Sequence, residues 1–156
     1  MPRIQKSEHN KQTNSYKIGN AAYQFIQIKP ERFFGTEVVW FNEARITITD
    51  LERTLIDGLT MPQYCGDFAE VIHAFQLSKN KLNLKRIIEY ALSLDTVTAK
   101  RLGWILDNQG VDLAKLTPLL EIKVKGYRTL DASGLRKGKC NSRWMIQENL
   151  PGRINA

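Results

Sequence analysis

The densest set of reactive side chains lies in "TDLERTLIDGL", residues 49–59, where Asp50, Glu52, Arg53 and Asp57 share one short stretch. Carboxylates beside an arginine can do general acid–base work, can form a binding face, or can start and solvate a helix. The spacing favours the last. Thr49 and Glu52 stand three apart, the capping-box pattern in which a hydroxyl and a carboxylate satisfy free backbone donors. Acids in the first turn also oppose the positive end of the helix. Arg53 and Asp57 are four apart and suit a solvated pair worth about 0.3–0.5 kcal/mol. Nothing in the stretch then demands catalysis.

A second pattern is Glu121-Ile-Lys123, the Glu-x-Lys spacing of metal-dependent nucleases of the restriction-enzyme type. There an upstream acid, here Asp112 or Asp107, completes a magnesium site, and the lysine stands near the attacking water. This is the alternative, enzymatic reading, with Glu121 and Lys123 as its centre. Against it, Asp112 reads as a helix N-cap, and no strand hairpin precedes Glu121. His9 and His73 have no ligand at metal spacing. Cys65 and Cys140 are far apart and read as isolated, at least partly buried thiols. "GLRKGK" has the wrong spacing for a phosphate cradle, and no GxSxG occurs. The reading is therefore of a chain with no catalytic residue, no metal and no cofactor.

The elements that must position these residues follow from pattern and composition. A chain of 156 residues with 42% hydrophobic and 25% charged residues can bury the core of one domain. No apolar run approaches the roughly 18 residues a membrane span needs. The amino-terminal segment is basic and lacks an apolar stretch, so it is not a secretory signal, and the expected location is cytoplasmic. Residues 1–19 read as a flexible basic lead-in, 20–150 as the domain and 151–156 as a tail. "AAYQFIQIKP" predicts a strand with one buried face, ended by Pro30. "TEVVWFNEARITIT" predicts a hairpin turning at Asn42-Glu43. Four amphipathic helices follow: one from Thr49 or Asp50 ended by Gly58 and Pro62, then helices from near Gly66-Asp67, from about Asn83 and from around Asp95 or Thr96, the last stopped at Gly110. A short fifth lies in "DLAKLTPLLEI". "YRTLD" and "SRWMIQEN" read as extended segments joined by "ASGLRKGK". Trp40, Trp104 and Trp144 sit among apolar neighbours and read as core or interface anchors. The order predicts an α+β fold, a small antiparallel sheet of N- and C-terminal strands against a central block of four to five helices.

The net charge is +7 and sits at the ends. Arg3, Lys6, Lys11 and Lys17 against Glu8 make residues 1–20 +3. Eight cations against Asp131 and Glu148 make residues 122–156 +6, which leaves −2 between. Basic ends beside a nearly neutral body steer toward phosphate or an acidic protein surface. The candidate phosphate contacts are Lys123, Lys125, Arg128, Arg136, Lys137, Lys139 and Arg143, with Lys100 and Arg101 on the fourth helix.

"TDLERTLIDGLTMPQYCGDFAEVIHAF" resembles the central signature of the AbiEi family of type IV antitoxins, described as transcriptional regulators of viral defence systems. "YQFIQIKPERFFG" is similar to the family strand that ends in Phe-Gly, and "AKRLGWILDNQG" to its Lys-Arg-Leu-Gly helix. "GYRTLDASGLRKGKCNSRWMIQEN" resembles its C-terminal stretch at Tyr127, Leu130, Asp131, Ser142, Arg143 and Trp144. The likeness spans about residues 20–150. Leu51 departs from it, where many relatives have Pro at the first helical position. The resemblance implies a non-enzymatic antitoxin domain of an abortive-infection toxin–antitoxin system, countering a nucleotidyltransferase-like toxin. It also implies help in binding DNA at the operon's own promoter. The family's winged helix-turn-helix has no counterpart before residue 20, so the stretch matches the C-terminal antitoxin domain alone.

Overall fold

Four short polar side chains begin the helical block. Asp50, Asp67, Asn83 and Asp95 each accept the backbone N–H three residues on, at 2.7, 3.0, 3.1 and 2.8 Å. Each satisfies a donor that the first turn leaves open. The helices they start are α1 (Leu51–Thr60), α2 (Phe68–Ser78), α3 (Leu84–Leu94) and α4 (Thr96–Asn108). A 3-10 turn at Leu113–Leu116 runs into the short α5 (Thr117–Leu120). In this computed structural model, residues 5–6 and 15–151 are described. Arg3, Glu8, His9, Lys11 and Arg153 lie outside them.

The expected capping box is not the one that forms. Asp50, with extended backbone, is the N-cap of α1, so Glu52 falls at the second helical position and cannot reach back to Thr49. Its carboxylate instead accepts Asn83 N–H at 2.7 Å and meets Arg86 Nη1 at 3.4 Å, tying α1 to the start of α3. Gly58 does not end α1 either. It lies inside the helix, where an added Cβ would stand 3.1 Å from Val71 Cγ2, so it sets the approach of α2. Met61 N–H closes the helix on Asp57 O, and Pro62 follows.

The core gathers the apolar faces: Leu55, Ile56 and Leu59 of α1, Phe68, Val71 and Phe75 of α2, Ile87, Ile88 and Ala91 of α3. Helix α4 is buried from Thr98 through Leu106 and forms the centre of the block.

The α+β reading holds, and the strands fall into three separate sheets rather than one. The chain divides into two units, Met1–Phe33 and Phe34–Ala156. In the first, β1 (Gln5–Lys6), β2 (Ser15–Ile18) and β3 (Ala21–Gln24) pair antiparallel. Residues 15–18, assigned to the lead-in, are therefore strand, because Gly19 at φ +60° lets them fold back on 21–24. The strand of "AAYQFIQIKP" stops at Gln24, and Phe25 and Ile26 stand exposed beyond it. Tyr16 meets the Phe25 ring edge-on at 5.2 Å.

In the second unit, β4 (Thr36–Phe41) and β5 (Ala44–Thr49) form the expected hairpin, turning at Asn42 with φ 53°. It is a two-stranded ribbon exposed on both faces. Trp40 is 70% exposed and is no core anchor. The ribbon's base is fastened: Gly35 O accepts Asp50 N–H at 2.9 Å, and Phe34 lies beneath the Arg53 guanidinium at 4.5 Å.

The C-terminal sheet holds β6 (Arg128–Thr129), β7 (Lys139–Asn141) and β8 (Ile146–Glu148), in the order β6-β8-β7, with β6 and β8 parallel. It docks on α4 through two indoles. Trp144 lies on Gly103 and donates Nε1–H to Asp107 Oδ2 at 2.8 Å. Trp104 reaches back to Glu148 Oε1 at 2.7 Å.

A methyl group at residue 103 would stand 2.0 Å from Trp144 Cζ3, inside the ring's van der Waals envelope. Gly103→Ala is therefore expected to destabilise by about 3 kcal/mol or more, the upper end for overpacking a filled core. Urea unfolding measures it, and an unchanged midpoint would contradict the packing described.

Candidate nucleic-acid interface

The segment after α5 presents cations with few acids beside them. Lys123 and Lys125 lie in the irregular stretch before β6, Arg128 on β6, Arg136 and Lys137 in the loop 131–138, Lys139 on β7 and Arg143 in the turn before β8. All seven are exposed. Among the described residues, only Arg143 of these makes an ion pair, with Asp107 Oδ2 at 3.0 Å. The other six ammonium and guanidinium groups face solvent, with no carboxylate of a described residue within 4.0 Å.

The loop carrying Arg136 and Lys137 is held at its base. Asn149, buried, accepts Asp131 N–H at 2.9 Å and donates Nδ2 to Asp131 O and Leu135 O, both at 3.0 Å. Asp131 in turn accepts the Ser133 N–H and hydroxyl at 2.9 and 2.6 Å. Gly134 leaves room for the Asn149 amide, and Gly138 at φ +136° passes against Glu148 O, where a Cβ would stand 2.0 Å away. The basic loop is therefore a fixed feature of the sheet edge. Sequence reading missed Asn149, because one asparagine beyond a strand carries no periodic signal; its only mark is the turn chemistry of Asp131-Ala-Ser133.

Two of the nine candidates are corrected by their burial. Lys100 and Arg101 are 2% and 8% exposed, so neither reaches a phosphate. Lys100 Nζ donates to Leu119 O and Leu120 O at 3.0 and 2.9 Å, capping the last carbonyls of α5. It also lies 5.9 Å from the Trp144 ring. Arg101 Nε donates to Thr129 O at 3.0 Å and Nη1 meets Leu59 O at 3.4 Å, joining β6, α1 and α4. Burial pushes both cations below their ordinary pKa values; for Arg101 the charges of Asp95 and Asp131 pull the other way. The basic pair in "AKRLGW" is thus a fastening, and Gly103 beside it is the seat of Trp144.

The opening acids and bases are likewise absorbed by structure. Asp50 accepts Arg53 N–H and the Tyr90 hydroxyl, each at 2.7 Å. The Arg53–Asp57 pair, expected to be solvated, is half interior: Arg53 is 4% exposed, donates Nε to Asp57 Oδ1 at 3.0 Å and keeps Nη1 buried without a partner. The carboxylates of the nuclease reading are apart in role. Asp107 serves Trp144 and Arg143, Asp112 accepts Ala114 N–H at 3.0 Å as a cap, and Glu121 is exposed after α5. Among the described residues no three His, Cys, Asp or Glu side chains converge as metal ligands would. His73 is exposed on α2. Cys65 and Cys140 are exposed and unbridged, not partly buried as expected. No described helix is long and apolar enough to cross a membrane.

For Lys100 the sign of the pH dependence follows from its lowered pKa. The unfolded chain holds the proton up to the ordinary lysine value of about 10.5, while the folded protein releases it sooner. In that window the unfolded state binds more protons, so stability rises with pH. The unfolding free energy of the wild type relative to Lys100→Met is expected to grow as pH rises toward 10.5, read by denaturation at stepped pH; a flat difference would contradict it. No protein-family model, no curated protein and no solved structure matches the chain.

Proposed function

We propose that this chain is a non-catalytic antitoxin domain of a type IV toxin–antitoxin system, acting in the cytoplasm against a nucleotidyltransferase-like toxin and lending phosphate contacts to promoter binding. The observation that carries the DNA-binding part is the C-terminal surface: six exposed cations between Lys123 and Lys139 with no acidic partner among the described residues, two of them on a loop clamped by Asn149. Cations held on a fixed framework bind the nucleic-acid backbone with little sequence preference and with steep salt dependence, since each phosphate contact releases counterions. The antitoxin part rests on the resemblance of the linked blocks from residue 20 to 150. Lys100 and Arg101 act in this reading as supports for the surface and not as contacts.

The reading makes two measurable claims. A promoter fragment is shifted at low salt, and the log affinity falls linearly with log salt. Replacing Arg136, Lys137 and Lys139 together by Ala lowers that slope by about 2.7, at about 0.9 per phosphate contact. An absent shift at low salt removes the nucleic-acid role. Independently, co-expression with a nucleotidyltransferase-like toxin encoded beside this chain is expected to restore growth; a failure to rescue at matched expression, or no such toxin beside it, removes the antitoxin role.

A further inference from the structure

The basic C-terminal surface carries one aromatic ring that phosphate contacts leave unused. Tyr127 is 46% exposed and stands between the exposed cations Lys125 and Arg128. Its hydroxyl bonds to no described residue, and no described aromatic ring lies against its own. Tyr90, by contrast, gives its hydroxyl to Asp50, and Tyr16 meets Phe25 edge-on. Gly126 turns the chain before Tyr127 at φ +69°, and a Cβ there would meet nothing within 4 Å, so that side is open to an approaching chain. Arg128 N–H donates to Met145 O at 3.0 Å, and Arg128, Ile146 and Asn141 form one row across the sheet. Tyr127 therefore lies toward the sheet end that holds the Ser142-Arg143 turn. Lys139, opposite Glu148, lies toward the other end with the clamped loop. Cations thus stand at both ends of a sheet about 10 Å across, with the phenol at one of them.

The major groove of a duplex admits an α-helix or a two-stranded ribbon. This surface presents neither. Its strands are two and three residues long, and α5 has four. The cations of α4 point inward to Leu119 O, Leu120 O and Thr129 O. The β4–β5 ribbon carries Glu37 and Glu43 against Arg45, the wrong balance of charge for phosphate. A duplex, whose base faces are stacked on one another, therefore meets only the cations. A single strand offers its phosphates to the same cations and a bare base face to the ring. Resting on the phosphate-binding reading above, we propose that this surface takes single-stranded nucleic acid in preference to duplex. A base stacks on Tyr127, and backbone phosphates lie on Lys125, Arg128 and the cations of residues 136–139.

The test uses the whole chain and fluorescence anisotropy at one low salt concentration. The labelled probes have equal numbers of phosphates: a thymidine homopolymer, a uridine homopolymer, a hairpin duplex and an abasic deoxyribose-phosphate strand. At least one homopolymer is expected to bind about fivefold or more tightly than the duplex and the abasic strand, as one stacked base requires. Tyr127→Ala is expected to weaken that homopolymer by about 5- to 150-fold, to leave the duplex and the abasic strand within about twofold, and Tyr127→Phe to bind like the wild type. A ring with a structural role only would weaken every probe together, and that result would overturn the proposal. Duplex or abasic strand bound as tightly as the homopolymers would overturn it too, a comparison that needs no variant. In those cases the phosphate-binding reading stands. Binding of no probe at all would remove both.

Discussion

The seating of Trp144 on the bare backbone of Gly103 is the constraint on which the second unit depends. An indole laid flat on a helix needs a residue without a side chain beneath it, and α4 supplies one at the middle of its buried run. Once the ring is there, its N–H finds Asp107 one turn on, and Asp107 holds Arg143. The edge of the C-terminal sheet is thereby fixed in position against α4. The reciprocal indole, Trp104 to Glu148, pins the opposite strand end. Two large side chains and two acids fasten a sheet of only eight strand residues, far too small to stand alone.

Around that seat the interior uses cations as mortar. Lys100 and Arg101 spend their donors on main-chain carbonyls of α5, β6 and α1, groups that helix ends and short strands leave open. Desolvating a charge is unfavourable, and several hydrogen bonds to peptide oxygens offset it. Glu52 does the same work in the opposite sense at the start of α3. The helical block is therefore held by charge-to-backbone contacts as well as by its aliphatic core, and these contacts fix which loop meets which helix end.

The helices were legible because their starts are local chemistry. An Asp or Asn followed by apolar residues at three- and four-residue spacing marks α2, α3 and α4 without any tertiary knowledge. The class α+β and the hairpin at 36–49 were legible for the same reason. What was not legible depends on distant neighbours. Lys100 and Arg101 carry the same side chains whether they face water or Leu119 O, and only the position of α5 decides. Glu52 reads as the acid of a capping box with Thr49, and a one-residue shift in the cap sends it to Asn83 and Arg86 instead. Gly58 reads as punctuation and Gly103 only as part of a Lys-Arg-Leu-Gly stretch, whereas each is a contact surface for another element. The ribbon was expected to join one sheet packed against the helices, and no described element of the second unit covers either of its faces. For the basic surface, sequence found all seven exposed residues but not the asparagine that anchors the loop.

That ribbon has a physical consequence of its own. Among the described residues its two strands pair only with each other, so each outer side offers a row of amide and carbonyl groups that no described strand pairs, flanked by Val38, Trp40, Phe41, Ile46 and Ile48. Natural sheets guard such borders with charge, proline or a covering element. Here the guards are Glu37, Glu43 and Arg45 alone. An extended segment laid along either border would complete that row of hydrogen bonds, and only these three ionic side chains stand along the ribbon to discourage it.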